Sequence, residues 1–169
     1  LHNKARPAWL FTNPADIMRL RPGLDHNFTV MGHAHFCQRL FQLDMGRDGK
    51  VERVESVFLR DPDRKVPFRI ANEGTDSRYL TGADFDPESI QFLDGEIWIG
   101  EEFGPSILRI ALDGRVLSVH QTMADGKPLT GPDTPGTVVP AQPGKDFTVQ
   151  HSGGYEGMAL QPGTNLLWA

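Results

Sequence analysis

Five carboxylates stand at the two ends of the segment 84–102: Asp84, Asp86 and Glu88 at its start, Glu101 and Glu102 at its close. Between them lies Asp94-Gly95, flanked by runs of alternating apolar residues, which is a strong short-range signal for a two-residue β-hairpin loop. That loop pairs Leu93 with Glu96 and Phe92 with Ile97, and the same count sets Glu88 opposite Glu101. Asp84 and Asp86 alternate with Glu88 along one strand direction and so can share its face. Like charges facing each other across a sheet are destabilising. The group therefore calls for protonation, solvent or a bound cation. Hard oxygen donors in this number suit calcium, so Asp84, Asp86, Glu88, Glu101, Glu102 and Glu156 are the candidate metal ligands. The competing reading is an acidic rim screened by water and salt.

Glu156 joins the set through a repeat. Glu88-Ser89-Ile90 leads through a Gly-containing turn to a strand bearing Trp98, and Glu156-Gly157-Met158, whose Glu lies 68 residues after Glu88, leads through another to Trp168. A strand-start Glu could also serve only to accept neighbouring backbone N–H groups. Arg78 precedes the acidic stretch and is a candidate to neutralise it or to hold an anionic substrate. His151 precedes the Ser152-Gly153-Gly154 turn and is a second candidate for substrate binding. Glu88, Glu101 and Glu156 are the candidate catalytic carboxylates. His33 and His35 would share a strand face and could ligate a metal if a third ligand joined them.

The elements that must position these residues are strands. Asp113-Gly114 and Asp48-Gly49 lie between apolar runs, 65 residues apart. Residues 88–93, 96–101, 106–112 and 115–121 are predicted to form one four-stranded antiparallel sheet. Residues 36–60 read as the outer half of the sheet before it, and 152–169 as the inner half of the next. A β unit repeated at a fixed period cannot bury its apolar face alone, which predicts stacked or radially arranged sheets. The fold class expected is all-β: a partial β-propeller of about two and a half antiparallel blades, with the chain a piece of a longer propeller. A small complete β-sandwich is the alternative. Residues 1–30 are irregular apart from one short helix at 14–20, residues 31–169 form the propeller part, and the Pro/Gly-rich stretch 124–150 is a long inter-blade loop. Trp98 and Trp168 are expected to fill the spaces between blades.

Composition narrows the function. A net charge of −5 and the absence of any Lys/Arg run argue against nucleic-acid binding. No apolar run is long enough to span a bilayer as a helix. The single cysteine, Cys37, excludes an internal disulfide and reads as a small buried residue. The chain contains no G-x-S-x-G, phosphate-binding Gly-Lys-Ser/Thr loop, H-E-x-x-H or C-x-x-C. Carboxylates, a metal ion, and a His or Arg are the chemistry that remains.

Three stretches carry a family resemblance: 80–89 (LTGADFDPES), 97–105 (IWIGEEFGP) and 152–159 (SGGYEGMA). In this order they resemble the phytase-like family with esterase-like activity, over roughly residues 36–169. The resemblance implies a β-propeller and a bacterial, exported protein, periplasmic or secreted. It also implies hydrolysis of phosphate or other esters, with a small-molecule ester or phosphoester as substrate. Bound calcium at an acidic rim would reverse the local field and activate water. Two other readings stand beside it. One is a non-catalytic propeller that binds a ligand or protein partner and holds structural calcium; the other is a sugar-lactone hydrolase.

Overall fold

The computed structural model describes residues 8–11, 38–45, 51–135, 147–151 and 153–169. The 14–20 segment, His33, His35, Cys37 and Asp48-Gly49 lie outside them. No helix occurs among the described residues, so none could cross a membrane. Among the described residues the architecture is all-β, built from antiparallel sheets, none of them closed.

Alternating runs around tight turns produce the largest sheet. β4 (Pro87–Leu93), β5 (Glu96–Glu101), β6 (Ser106–Ile110) and β7 (Val116–Gln121) pair in sequence order. The β4–β5 loop is Asp94-Gly95, with φ of 53° and 77°, and Leu93 pairs with Glu96 as the turn requires. Both residues occupy the left-handed region, which Gly enters freely and Asp tolerates. The Asp113-Gly114 turn is wider than a two-residue loop. Only Gly114 has positive φ there, and Ala111 N donates to Arg115 O at 2.9 Å. Hence β6 stops at Ile110 rather than 112.

A three-stranded sheet precedes it: β1 (Ala8–Phe11), β2 (Arg39–Met45) and β3 (Val51–Phe58), in that order. β1 lies in the segment that carries no strand signal, where it adds to the free edge of β2. Two short hairpins follow, β8 (Met123–Ala124) with β9 (Lys127–Pro128) and β10 (Ala159–Leu160) with β11 (Leu167–Trp168). The first falls in the stretch read as a long loop, and Asp125-Gly126 turns it, both at positive φ.

One core joins the two larger sheets. The inward residues of β5 to β7, Ile97, Ile99, Leu108, Ile110 and Val116, are fully buried. They pack with Leu40 and Val57 of the first sheet and with Leu59, Val66, Ile70, Leu80 and Phe85 of the connection between the sheets. Backbone bonds seal that connection: Gln38 N to Leu80 O at 2.7 Å, Leu80 N to Leu59 O at 2.9 Å, and Val116 N to Arg60 O at 2.9 Å. The two tryptophans differ. Trp98 is half-buried and stacks on His120, with ring centroids 6.0 Å apart. Trp168 is 63% exposed, so among the described residues it fills no inter-sheet space.

Candidate functional site

Strand parity decides the fate of Glu101. Ile97, Ile99 and Glu101 alternate on the core face of β5, and all three are fully buried. A carboxylate there must find donors. It receives the backbone N–H of Phe103 at 3.0 Å and of Gly104 at 2.8 Å, so its side chain closes the turn that follows β5. Burial pushes the Glu101 carboxyl up to about 7. The N–H of Gly104, the Ser106 side chain, and the N–H groups of Phe103 and Ser106 oppose that rise. Desolvation, not repulsion from another carboxylate, is the leading cause.

Glu88 does not stand opposite Glu101. Register slips between Pro87 and Ser89, so Pro87 pairs with Glu101 and Ser89 with Gly100. Glu88 is the extra residue of a bulge, and it is exposed. Proline lacks an N–H and is tolerated where a strand begins, so the irregularity falls where β4 starts. Beyond it the chains remain close: Glu102 N donates to Asp86 O at 2.8 Å. Asp86, Glu88 and Glu102 each bring a carboxylate oxygen to within 4.8 Å of the other two. Asp86 and Glu102 are half-buried, Glu88 exposed. Three hard oxygen donors on a partly solvated rim could hold a hard metal ion, with carbonyls or water completing its shell.

The other sequence candidates fall elsewhere. Asp84 is buried and its oxygens accept Ala71 N at 2.7 Å, Thr81 N at 2.7 Å and the Thr81 hydroxyl at 2.9 Å. It staples the loop that leads into β4. Arg78 is buried at φ 46°. Its Nε donates to Asp61 O at 2.7 Å and its NH2 to Asp61 Oδ2 at 3.1 Å. Its NH1 lies 2.6 Å from Glu73 Oε1, an ion pair without hydrogen-bond alignment. The partners of Arg78 are thus Asp61 and Glu73, not the carboxylates of the rim. Glu156 is exposed and stands outside the group of three. His151 is exposed, and its Nδ1 lies 2.7 Å from Asp133 Oδ2. Sequence reasoning passed over Asp133 because its partner is 18 residues away, across a stretch rich in Pro and Gly.

The three sequence motifs converge on one turn. Gly154 lies directly on Glu102, where a Cβ would stand 2.5 Å from the Glu102 Cα. Tyr155 N donates to Glu101 O at 3.3 Å, and the Tyr155 hydroxyl bonds Thr122 Oγ1 at 2.5 Å. Gln91 Nε2 donates to Met158 O at 2.9 Å. Residues 153–158 are therefore laid across the β4–β5 end that carries the carboxylates.

An open antiparallel β protein with a carboxylate group at the meeting point of its three motifs is the class defined by this geometry. The chain belongs to the phytase-like family, described as the esterase-like activity of phytase, whose model matches residues 23–169. That description points to a hydrolase of the esterase or phosphatase kind with a small-molecule ester or phosphate substrate. No curated protein and no solved structure matches the chain.

Proposed function

We propose that this chain is part of a propeller-type, calcium-dependent hydrolase of esters or phosphoesters, with Asp86, Glu88 and Glu102 holding the ion. The observation that carries this reading is the approach of those three carboxylates to within 4.8 Å of one another, at the turn where the family motifs meet. A bound calcium would supply positive field for a substrate anion and for water polarisation. The chain's own residues supply the rest. Glu102 and Asp86 are held together by their backbones. Glu101, facing the core, shapes the turn that presents Glu102. Glu88 and Glu156 are both exposed to solvent. Arg78, tied to Asp61 and Glu73, holds the preceding loop. The four-stranded meander and the β10–β11 hairpin that follows it accord with successive blades.

The test is hydrolysis of p-nitrophenyl phosphate and p-nitrophenyl acetate with calcium and with EDTA. Turnover that needs calcium and is lost in Glu88→Gln supports the reading. Calcium binding without turnover of either ester points to the non-catalytic propeller.

A further inference from the structure

An exposed His–Asp pair adds little to stability, typically about 0–1 kcal/mol, yet two chain arms are built to hold one here. One arm runs through Thr130 to Thr134, the other through Thr148 to His151. They are laced together at Thr130 and Thr148: Thr148 N donates to Thr130 O at 2.8 Å, and Thr130 N to Thr148 Oγ1 at 2.8 Å. The first arm is braced on the carboxylate turn, because the Thr134 hydroxyl reaches Phe103 O at 3.1 Å and Gly104 O at 3.2 Å. The second arm leads within three residues to Gly154, which rests on Glu102. At no more than about 3.6 Å per residue, the His151 Cα lies within about 11 Å of the Gly154 Cα. Both arms of the pair are thus tied to the turn that carries Glu102, one through Thr134 and the other through Gly154.

The chemistry of the pair is directional. A carboxylate can only accept, so the His151 nitrogen bonded to Asp133 carries the proton, and Nε2 of the neutral ring holds the lone pair. The His151 side chain is 76% exposed, while that of Asp133 is 22% exposed. An imidazole whose one nitrogen is oriented by a carboxylate and whose other is open to solvent has the form of an oriented general base.

We propose that His151, oriented by Asp133, is the general base of the ester hydrolysis. The proposal rests on the hydrolase reading above but not on the identity of the ion. Nε2 takes a proton from water as the water oxygen bonds to the acyl carbon or phosphorus. The bond from that centre to the ester oxygen breaks, and the proton ends on the departing alcohol. Nothing is oxidised or reduced, and the imidazole returns to its neutral form.

The experiment measures kcat and KM for p-nitrophenyl acetate and p-nitrophenyl phosphate in wild type, His151→Gln, Asp133→Asn and the double variant. Terbium affinity and thermal stability are followed in each. General-base catalysis is worth about 10²–10⁴-fold, so His151→Gln lowers kcat at least about 100-fold. KM and terbium affinity stay within about twofold. Asp133→Asn lowers kcat less, and the double variant is no slower than His151→Gln, because the two residues act as a unit. The ester that is turned over shows whether acyl carbon or phosphorus is the centre attacked. An unchanged kcat in His151→Gln, alongside turnover that Glu88→Gln abolishes, overturns this proposal and leaves the hydrolase reading standing. Wild-type protein inert to both esters overturns both.

Discussion

Gly154 rests on Glu102 so closely that a Cβ would meet the Glu102 Cα, carbonyl carbon and oxygen at 2.5–2.7 Å. All three atoms are backbone and cannot swing aside. Through this contact the third motif of the chain is registered on the second, and Glu102 is held where its carboxylate meets Asp86 and Glu88.

Gly154→Ala is therefore expected to force the 153–158 segment off the turn. Overpacking of this kind costs about 1–3 kcal/mol. Urea unfolding should show a lower midpoint, and terbium titration a weaker site. An unshifted midpoint would mean that the segment does not rest on Glu102 in solution.

Glu101 makes stability depend on pH. Its folded carboxyl titrates at about 7, against 4.5 in the unfolded chain. The folded state therefore binds the extra proton, and the stability linked to it is full below about pH 4.5 and lost as pH rises through 7. At 1.36 kcal/mol per pKa unit, the difference reaches about 3 kcal/mol. Glu101→Gln cannot titrate, so wild type should lose more stability than the variant between pH 5 and pH 8. Equal losses in two urea series would show that Glu101 is solvated or paired.

The three-carboxylate group predicts a pattern of affinities. Asp86→Asn, Glu88→Gln and Glu102→Gln should each weaken terbium binding about tenfold or more, because ligand charge count tunes such sites. Glu156→Gln should leave the affinity within about twofold, since Glu156 stands outside the group. EDTA should lower the thermal midpoint of wild type more than that of Glu88→Gln, as linkage requires.

Arg78 is expected to act on the fold. Its removal would leave the fully buried Asp61 without the guanidinium that pairs with it. Breaking a buried pair from one side costs about 3–5 kcal/mol. Arg78→Ala should thus shift the urea midpoint strongly, or prevent folding. Asp61→Asn with Arg78→Met, which removes both charges, should recover much of the loss. A mild effect of Arg78→Ala would argue against the buried pair.

Local pattern was enough to read the four-stranded meander, its Asp94-Gly95 hairpin and the family motifs, since period-two alternation and turn chemistry act between near neighbours. The same parity also marks Glu101 as inward, in step with Ile97 and Ile99, a signal that the carboxylate count obscured. What the sequence does not carry is the slip at Pro87–Ser89. One bulged residue changes every pairing beyond it, and here it puts Pro87 rather than Glu88 opposite Glu101. Asp84 and Arg78 resemble site residues in composition, but burial commits them to backbone and to Asp61. The Asp133–His151 and Gly154–Glu102 contacts join residues 18 and 52 positions apart. Such contacts are set by how the connections fold back over the sheet, and only the tertiary structure decides that.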